Sequence, residues 1–528
     1  MENDKRQKLI FALLIISVSV LFIGTRLFRL DDVPFGQHRM HIDELGAFYD
    51  AVCLGDYGVD QFQMHFPVYF RCFGEGQNAL YTYLAIIPIK LGGISIFNFR
   101  LPAVICALGA FASLFFLVRQ MLDRWAGAIA LALMTVMPVF MMSEHWGLEA
   151  YLFMSFVIIS MYFQMHAIAS DKPVFYFLAG LFWGLSLYTY SMAYVVVPIF
   201  LLLTFIALLA YRKLTLKNAL CAGIPFVLLG IPLFVQQLVM MGALEPFSFM
   251  GLVDFWRSPH WRADEISASN IIVNLKDSFR FTYVADHQAY DADPRFGTMY
   301  YVSIPFILIG MAASAAAVIK SIRARVMDPW LFVWMYYVVS RIFYLFIREP
   351  NINRINGIFP VYLLFAVYGI KAAFDKIKWK KVFIAAVFIA YIIPFVLFSR
   401  YFYSHVGLIA DAYDIGDSLG CDLQAGEAAA LAKRIANGKP VVAMMNDGWM
   451  KHLSVALYTE TSPYDFFRDN EPQDRSFNGV EWMMPDELDL SGNTVYLIDN
   501  ELGHITAYLA TEGFLGDITY PNYTIVYK

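Results

Sequence analysis

Asp43 and Glu44 stand side by side in His41-Ile42-Asp43-Glu44-Leu45-Gly46-Ala47-Phe48-Tyr49-Asp50, just past the first hydrophobic run of this 528-residue chain. A carboxylate beside a membrane is costly to bury, so it is kept either solvated or for a role. Its chemistry would be that of a general base, taking a proton from a hydroxyl within hydrogen-bond reach. The plainer reading is capping, with Asp43 as the N-cap of a helix running from Glu44 through Leu54.

Two other clusters could join such a base. His145 and Glu149 sit four residues apart in Ser143-Glu144-His145-Trp146-Gly147-Leu148-Glu149. On a helix they would share a face and contact a substrate; an interfacial cap with a Trp anchor explains them equally well. Arg348 and Arg354 flank Arg348-Glu349-Pro350-Asn351-Ile352-Asn353-Arg354, with Asn353 as a further polar contact. Guanidinium groups bind phosphate bidentately, which makes this turn a candidate phosphate clamp. Pairing with Glu349 or loop carboxylates is the alternative. Arg100 reads as snorkelling to the headgroups, and Arg341, inside an apolar run, should face the bundle with a partner.

The elements that position these residues are membrane spans. The chain is 59% hydrophobic and 17% aromatic with only 16% charged residues, and its mean hydropathy is +0.54. That composition points to a polytopic membrane protein. A span needs about 20 apolar residues. Candidates are 9–28, 101–118, 125–142, 149–168, 174–190, 192–210, 218–240, 299–319, 330–347, 356–373 and 382–399. The first run resembles a signal-peptide core but is too long, lacks a small-residue cleavage site, and reads as a retained helix.

The apolar stretch 78–97 decides the topology. Lys5, Arg6 and Lys8 precede the first span, and Arg212, Lys213, Lys217, Lys320, Arg323, Arg325 and Lys376–Lys381 follow later ones. With eleven spans these clusters all fall on the cytoplasmic side, as the positive-inside rule requires. A twelfth at 78–97 would set the N-terminal cluster against the others. Its Pro88 and Gly92-Gly93 suit a re-entrant or interfacial helix. Loop one (29–100), a second large loop (241–298), the Arg348–Arg354 turn and the C-terminal segment then lie outside. Charged and aromatic residues of the second loop, among them His260, Trp261, Arg262, Asp264, Glu265, Asp286, His287 and Asp291, could cover a site.

The C-terminal segment is polar. A helix is expected over Gln424–Ala436, strands over 440–445 and 494–498, a helix over 501–512 and a last strand over 523–528. The expected organisation is a transmembrane domain over 1–399 and a small extracytoplasmic α/β domain over 400–528. Five scattered Cys give no zinc or disulfide framework, though Cys53 and Cys72 share loop one and could pair there. There is no Gly-rich phosphate loop, no convincing set of metal ligands and no nucleic-acid signature, so no cofactor is expected.

The ordered set Asp43-Glu44, Gly55-Asp56-Tyr57, the apolar helix Leu80–Leu91, Arg100-Leu101-Pro102 and Pro138 before a short outer turn resembles the GT-C superfamily of integral-membrane glycosyltransferases. The nearest branch is that of the protein O-mannosyltransferases and aminoarabinose transferases, over about residues 9–400. The resemblance implies a polyprenyl-phosphate-linked sugar donor, hexosyl or pentosyl transfer to an acceptor hydroxyl on protein, lipid or envelope glycan, and reaction on the outer face of a cell membrane. It places Asp43 on the family's catalytic Asp with Glu44 beside it. The Lys-Pro pair of the aminoarabinose transferases has no counterpart in 73–78, which shifts phosphate binding to Arg348 or Arg354. A transporter or flippase would instead show repeated halves and charges near mid-bilayer, and a scaffold would tolerate substitution throughout loop one.

Overall fold

The computed structural model describes residues 2–34, 36, 38–72, 75–258, 261, 265–277, 295–348, 350–404, 420–445, 449–468, 471–472, 476–482 and 488–528. Helix α1 (Glu2–Leu27) leads through a turn to strand β1 (Arg39–His41), which runs directly into α2 (Ile42–Tyr57). The first turn of α2 is closed by a capping box. The His41 ring accepts the Asp43 amide and the Glu44 carboxylate accepts the His41 amide, which satisfies two donors that a helix start leaves open. The cap is therefore His41, and Asp43 is relieved of the capping role its position suggested. Gly58, at φ 74°, ends the helix by donating its amide to Leu54.

Strands β2 (Tyr69–Cys72) and β3 (Glu75–Asn78) form a hairpin that delivers the chain to α3 (Leu80–Gly92). Thirteen residues of helix reach roughly 20 Å, short of the ~30 Å hydrocarbon core. The bundle continues as α4 (Ile96–Met121), α5 (Arg124–Val136), α6 (Pro138–Ser143), α7 (Glu149–Ser170), α8 (Pro173–Ser186), α9 (Ala193–Ala210) and α10 (Leu216–Met240). A hairpin of β4 (Phe247–Phe249) and β5 (Val253–Phe255) and the short α11 (Ile271–Asp277) occupy the second loop. Then come α12 (Ser303–Arg323), α13 (Trp330–Phe346), α14 (Ile352–Ile355), α15 (Phe359–Lys376) and α16 (Lys380–Ser404).

A helix stands at each expected span. Among the described residues, eight helices are long and apolar enough to cross a membrane, while α5, α8 and α13 are shorter apolar helices. The third expected span is broken. Met137 is extended and Pro138, which has no N–H to give the ladder, opens α6 as a separate turn. Successive loops alternate between the ends of the bundle. Loop one, the 143–148 turn, the α8–α9 turn and the second loop share one end, tied by Gly147 N–H to Glu44 at 2.6 Å, Leu80 N–H to Tyr188 O at 3.1 Å and Asp254 N–H to His65 O at 3.0 Å. At the other end Lys371 approaches Asp123 at 3.5 Å.

The C-terminal region holds β6 (Gly420–Asp422), α17 (Gln424–Ala436), β7 (Val441–Met444), α18 (Trp449–Tyr458), α19 (Pro463–Phe466), β8 (Phe467–Arg468), β9 (Glu471–Pro472), β10 (Ser476–Phe477), β11 (Val480–Trp482), β12 (Val495–Asp499), α20 (Gly503–Thr511), β13 (Leu515–Tyr520) and β14 (Tyr523–Tyr527). A six-stranded sheet runs β10-β11-β7-β12-β14-β13, with β11, β7 and β12 parallel. The two central parallel strands are covered on both faces, which is why they read as unbroken apolar runs. Helix α17 lays its alanine face, Ala425, Ala428, Ala429, Ala432 and Ala436, into that core. The sheet is separate from a two-stranded pairing of β6 with β1, which joins this region to loop one.

Candidate active site

A cavity of about 450 Å³ opens at the loop-one end of the bundle. Its polar and aromatic walls include His41 and Asp43 at the start of α2, Glu149 at the start of α7, Tyr190 and Tyr194 around the α8–α9 turn, Trp261 and Glu265 of the second loop, and Asn353 and Arg354 after α13, with Tyr69 of β2, Gln237 of α10 and Phe343 of α13 also lining it. Asp43 occupies the first turn of α2, where the helix dipole favours a carboxylate, and its side chain is 42% exposed. His41 Nδ1 stands 3.6 Å from one carboxylate oxygen, and Cys72 Sγ stands 3.7 Å from the other.

Glu149 is buried at the first turn of α7. Gln77 bridges it to Asp43, donating from Nε2 to Glu149 at 3.0 Å and lying 3.4 Å from the Asp43 carbonyl. Across the cavity, the Arg354 turn is built by asparagines. Asn351 caps α14 through the Arg354 amide at 2.8 Å, and Asn356 ties the turn to Ala150 at 2.6 Å. Asn353 is left lining the cavity, its carbonyl oxygen buried and without a hydrogen bond among the described residues. Arg354 lines it too, and its guanidinium is held by Glu265 at 2.7 and 3.3 Å and by the Arg348 carbonyl at 2.9 Å. Glu265 arrives on a segment strapped to the end of α13 by the Ser267 and Arg348 amides and by Asn270 and Asn274.

The two adjacent carboxylates are thus divided. Glu44 faces away from the cavity and is fully buried. Arg100 grips it with two 2.7 Å bonds, and the His41 and Gly147 amides complete the set. Burial alone would raise its pKa, but the guanidinium and the amide donors outweigh that and hold it below the usual carboxylate value. A Cβ on Gly147 would meet the Phe99 ring at 2.3 Å, so only glycine brings its amide this close. Arg100 also donates to the Leu30 and Val33 carbonyls. Glu44 is committed to this pair and presents nothing to a substrate, and Arg100 does not snorkel.

His145 is a second correction. Because α6 stops at Ser143 and α7 begins at Glu149, His145 and Glu149 share no helix face. His145 is fully buried, bonded to Met141 O at 2.7 Å and packed on Phe402 and Tyr403. Burial lowers its pKa to about 4, so it is a neutral structural ring. Arg348 is exposed and does not line the cavity. Arg341 lies with its guanidinium 4.8 Å from the Tyr344 ring. Cys53 and Cys72 are not joined by a disulfide. His260, Arg262, Asp264, Asp286, His287, Asp291 and Glu349 lie outside the described residues. Among the described residues no three His, Cys, Asp or Glu side chains converge as a metal-ligand group. Sequence reasoning missed Gln77 and the tyrosine wall, since an isolated amide in a hairpin and aromatics at span ends carry no pattern of their own.

Residues 79–237 match the family model described as dolichyl-phosphate-mannose-protein mannosyltransferase. No curated protein matches the sequence significantly. Among solved structures, the chain is similar to ArnT from Cupriavidus metallidurans in the apo state, at 12% identity and TM-score 0.50, covering 98% of this chain and 97% of that one. It is also similar to the Archaeoglobus fulgidus oligosaccharyltransferase in complex with Zn and sulfate, at 13% identity and TM-score 0.50, covering 84% of this chain and 61% of that one. The chain has the GT-C membrane fold that its loop-one motifs resemble, with a sheet-containing C-terminal region.

Proposed function

We propose that this protein is a membrane glycosyltransferase that moves a sugar from a polyprenyl-phosphate donor to an acceptor hydroxyl, with Asp43 as general base. The observation that carries this is the open cavity that the half-exposed Asp43 carboxylate and the Arg354 side chain both line at the end of the bundle. The family model's own name supplies the donor class, a sugar on a polyprenyl phosphate. Such a donor is already activated, because its phosphate departs once the developing charge is met by a cation.

In the reaction, the acceptor oxygen attacks the anomeric carbon while the bond from that carbon to the phosphate oxygen breaks. Asp43 receives the hydroxyl proton. Arg354, released from Glu265, meets the departing phosphate, with Asn353 beside it. The aromatic faces of Tyr190, Tyr194 and Trp261 bound the sugar's space, and Glu149 and Gln77 offer polar contacts to its hydroxyls. Holding acceptor and donor together supplies the effective concentration that two dilute substrates lack. Glu44 serves by position, and His145 and Arg348 stand outside the chemistry. In this reading the N-terminus is cytoplasmic, the cavity faces outside a plasma membrane, residues 1–399 form the transferase domain and 400–528 an extracytoplasmic domain.

One displacement inverts the anomeric centre. The test is to supply the purified protein in nanodiscs with a radiolabelled polyprenyl-phosphate sugar and an envelope extract. Release of polyprenyl phosphate with a product of inverted configuration is expected; retained configuration contradicts direct attack by the acceptor.

A further inference from the structure

Helix α2, which presents Asp43, is held from two sides, and only one of them is the membrane bundle. On that side, Glu44 is fixed by Arg100 of α4 and by the Gly147 amide. A second set of contacts comes from the far end of the chain. Strand β1 pairs antiparallel with β6, Met40 opposite Cys421. The Leu423 amide donates to His38 O at 2.7 Å, and His38 meets Glu427 at 2.7 Å. Tyr49 donates its hydroxyl to Thr461 O at 2.9 Å and sets its ring edge-on to Phe466. One apolar core runs through both sides of this contact, joining Met40, Leu45 and Tyr49 to Cys421, Leu423 and Phe466.

We infer that the C-terminal region is a working part of the cavity site, with β6 and the segment after α18 acting as a clamp that sets the aim of Asp43. The inference rests on the reading of Asp43 as the base. The chain makes the coupling tight, because His41 is at once the last residue of β1 and the cap of α2. A single residue, Ile42, therefore separates the β1–β6 pairing from Asp43. Asp422 carries the constraint into the sheet, accepting from Asn522 at 2.8 Å in the turn that opens β14. A strand pairing transmits register in whole-residue steps, and a base displaced by about 1 Å loses roughly a hundredfold in rate. The C-terminal residues involved are positioning residues, since none of them lines the cavity.

The test uses the full chain in nanodiscs with a polyprenyl-phosphate sugar. Leu423→Pro deletes the one amide that bonds to His38, at a position whose φ of −87° lies near the range proline accepts. Combined with Tyr49→Phe, it is expected to lower kcat roughly ten- to a hundredfold per folded molecule while KM for the donor stays unchanged. Met40→Cys faces the native Cys421, and oxidising that pair locks the two strands together. The locked protein is expected to turn over as fast as the same variant reduced. Unchanged kcat in the first variant, or loss of turnover on locking that reductant restores, overturns the inference. Failure of the parent reading looks different: Asp43→Asn would then keep turning over at the wild-type rate, whereas failure of the clamp alone leaves Asp43→Asn inactive and the Leu423→Pro/Tyr49→Phe variant at full kcat.

Discussion

Asp43 owes its freedom to its neighbours. His41 takes the capping duty and Glu44 takes the structural charge, so the carboxylate between them is left 42% exposed in the cavity. Removing one partner of a buried ion pair strands the other, at a cost of about 3–5 kcal/mol. Glu44→Gln should therefore unfold at clearly lower temperature, and pairing it with Arg100→Met should recover most of the loss; equal stability of the single variant and the wild type would contradict that role. Asp60 predicts a pH effect. It is fully buried in loop one, accepts the Phe62 and Met64 amides at 2.9 Å, and burial raises its pKa from 3.8 to about 7. A carboxyl raised in the fold stabilises in its protonated form, so that contribution is complete below about pH 3.8 and is lost as pH rises through about 7. Protection factors of residues 58–72, which remove the intrinsic rise of exchange with pH, should fall between about pH 3.8 and 7, and Asp60→Asn should flatten the trend. The Asp43-Glu44 pair was visible in the sequence as chemistry near a membrane. Which of the two would act was not, because that depends on Arg100 and Gly147, distant in sequence and close only once α4 and the 143–148 turn pack.

At the scale of elements, the short turn after α13 and the second loop form one device. Three asparagines divide the work, Asn351 capping, Asn356 anchoring and Asn353 lining the cavity. Glu265 meanwhile occupies the guanidinium of Arg354 with both carboxylate oxygens, the geometry a phosphate would use. In the proposed reaction, donor binding displaces it. Glu265→Gln should thus lower KM for the donor severalfold and tighten inhibition by free polyprenyl phosphate, whereas Arg354→Ala should raise KM; a higher KM in Glu265→Gln would show that the acid orients the guanidinium rather than competes for it. Crowding of Arg and Asn in seven residues made this turn legible as a candidate anion site. The partner was only one of many charged residues in a long loop, and no spacing rule links positions so far apart. The helix break at Met137 is the same lesson. A mean hydropathy window reads 125–142 as one span, while Pro138 splits it and, with the 143–148 turn, removes His145 from the face of Glu149.

Across the whole molecule, length and apolarity located a helix at every expected span, since crossing a bilayer leaves the backbone little choice, and β7, β12, β14, α17 and α20 of the C-terminal region followed from their periods, whereas β10, β11, β13 and α18 did not. What the sequence could not reveal was the join between the ends, the pairing of β1 with β6, because three-residue strands carry no signal and their partners are decided by register alone. That join makes loop one a layer between bundle and sheet, with Asp43 where the layers meet the cavity. The central claim is that this carboxylate is the base of a sugar transfer. The most direct measurement is the single-turnover rate of Asp43→Asn, at saturating polyprenyl-phosphate sugar, beside a thermal melt and donor binding of the same preparation. A fall of about 10²–10⁴-fold in rate, with melt and donor affinity kept, is the predicted result; transfer at the wild-type rate by folded, donor-binding Asp43→Asn would contradict it.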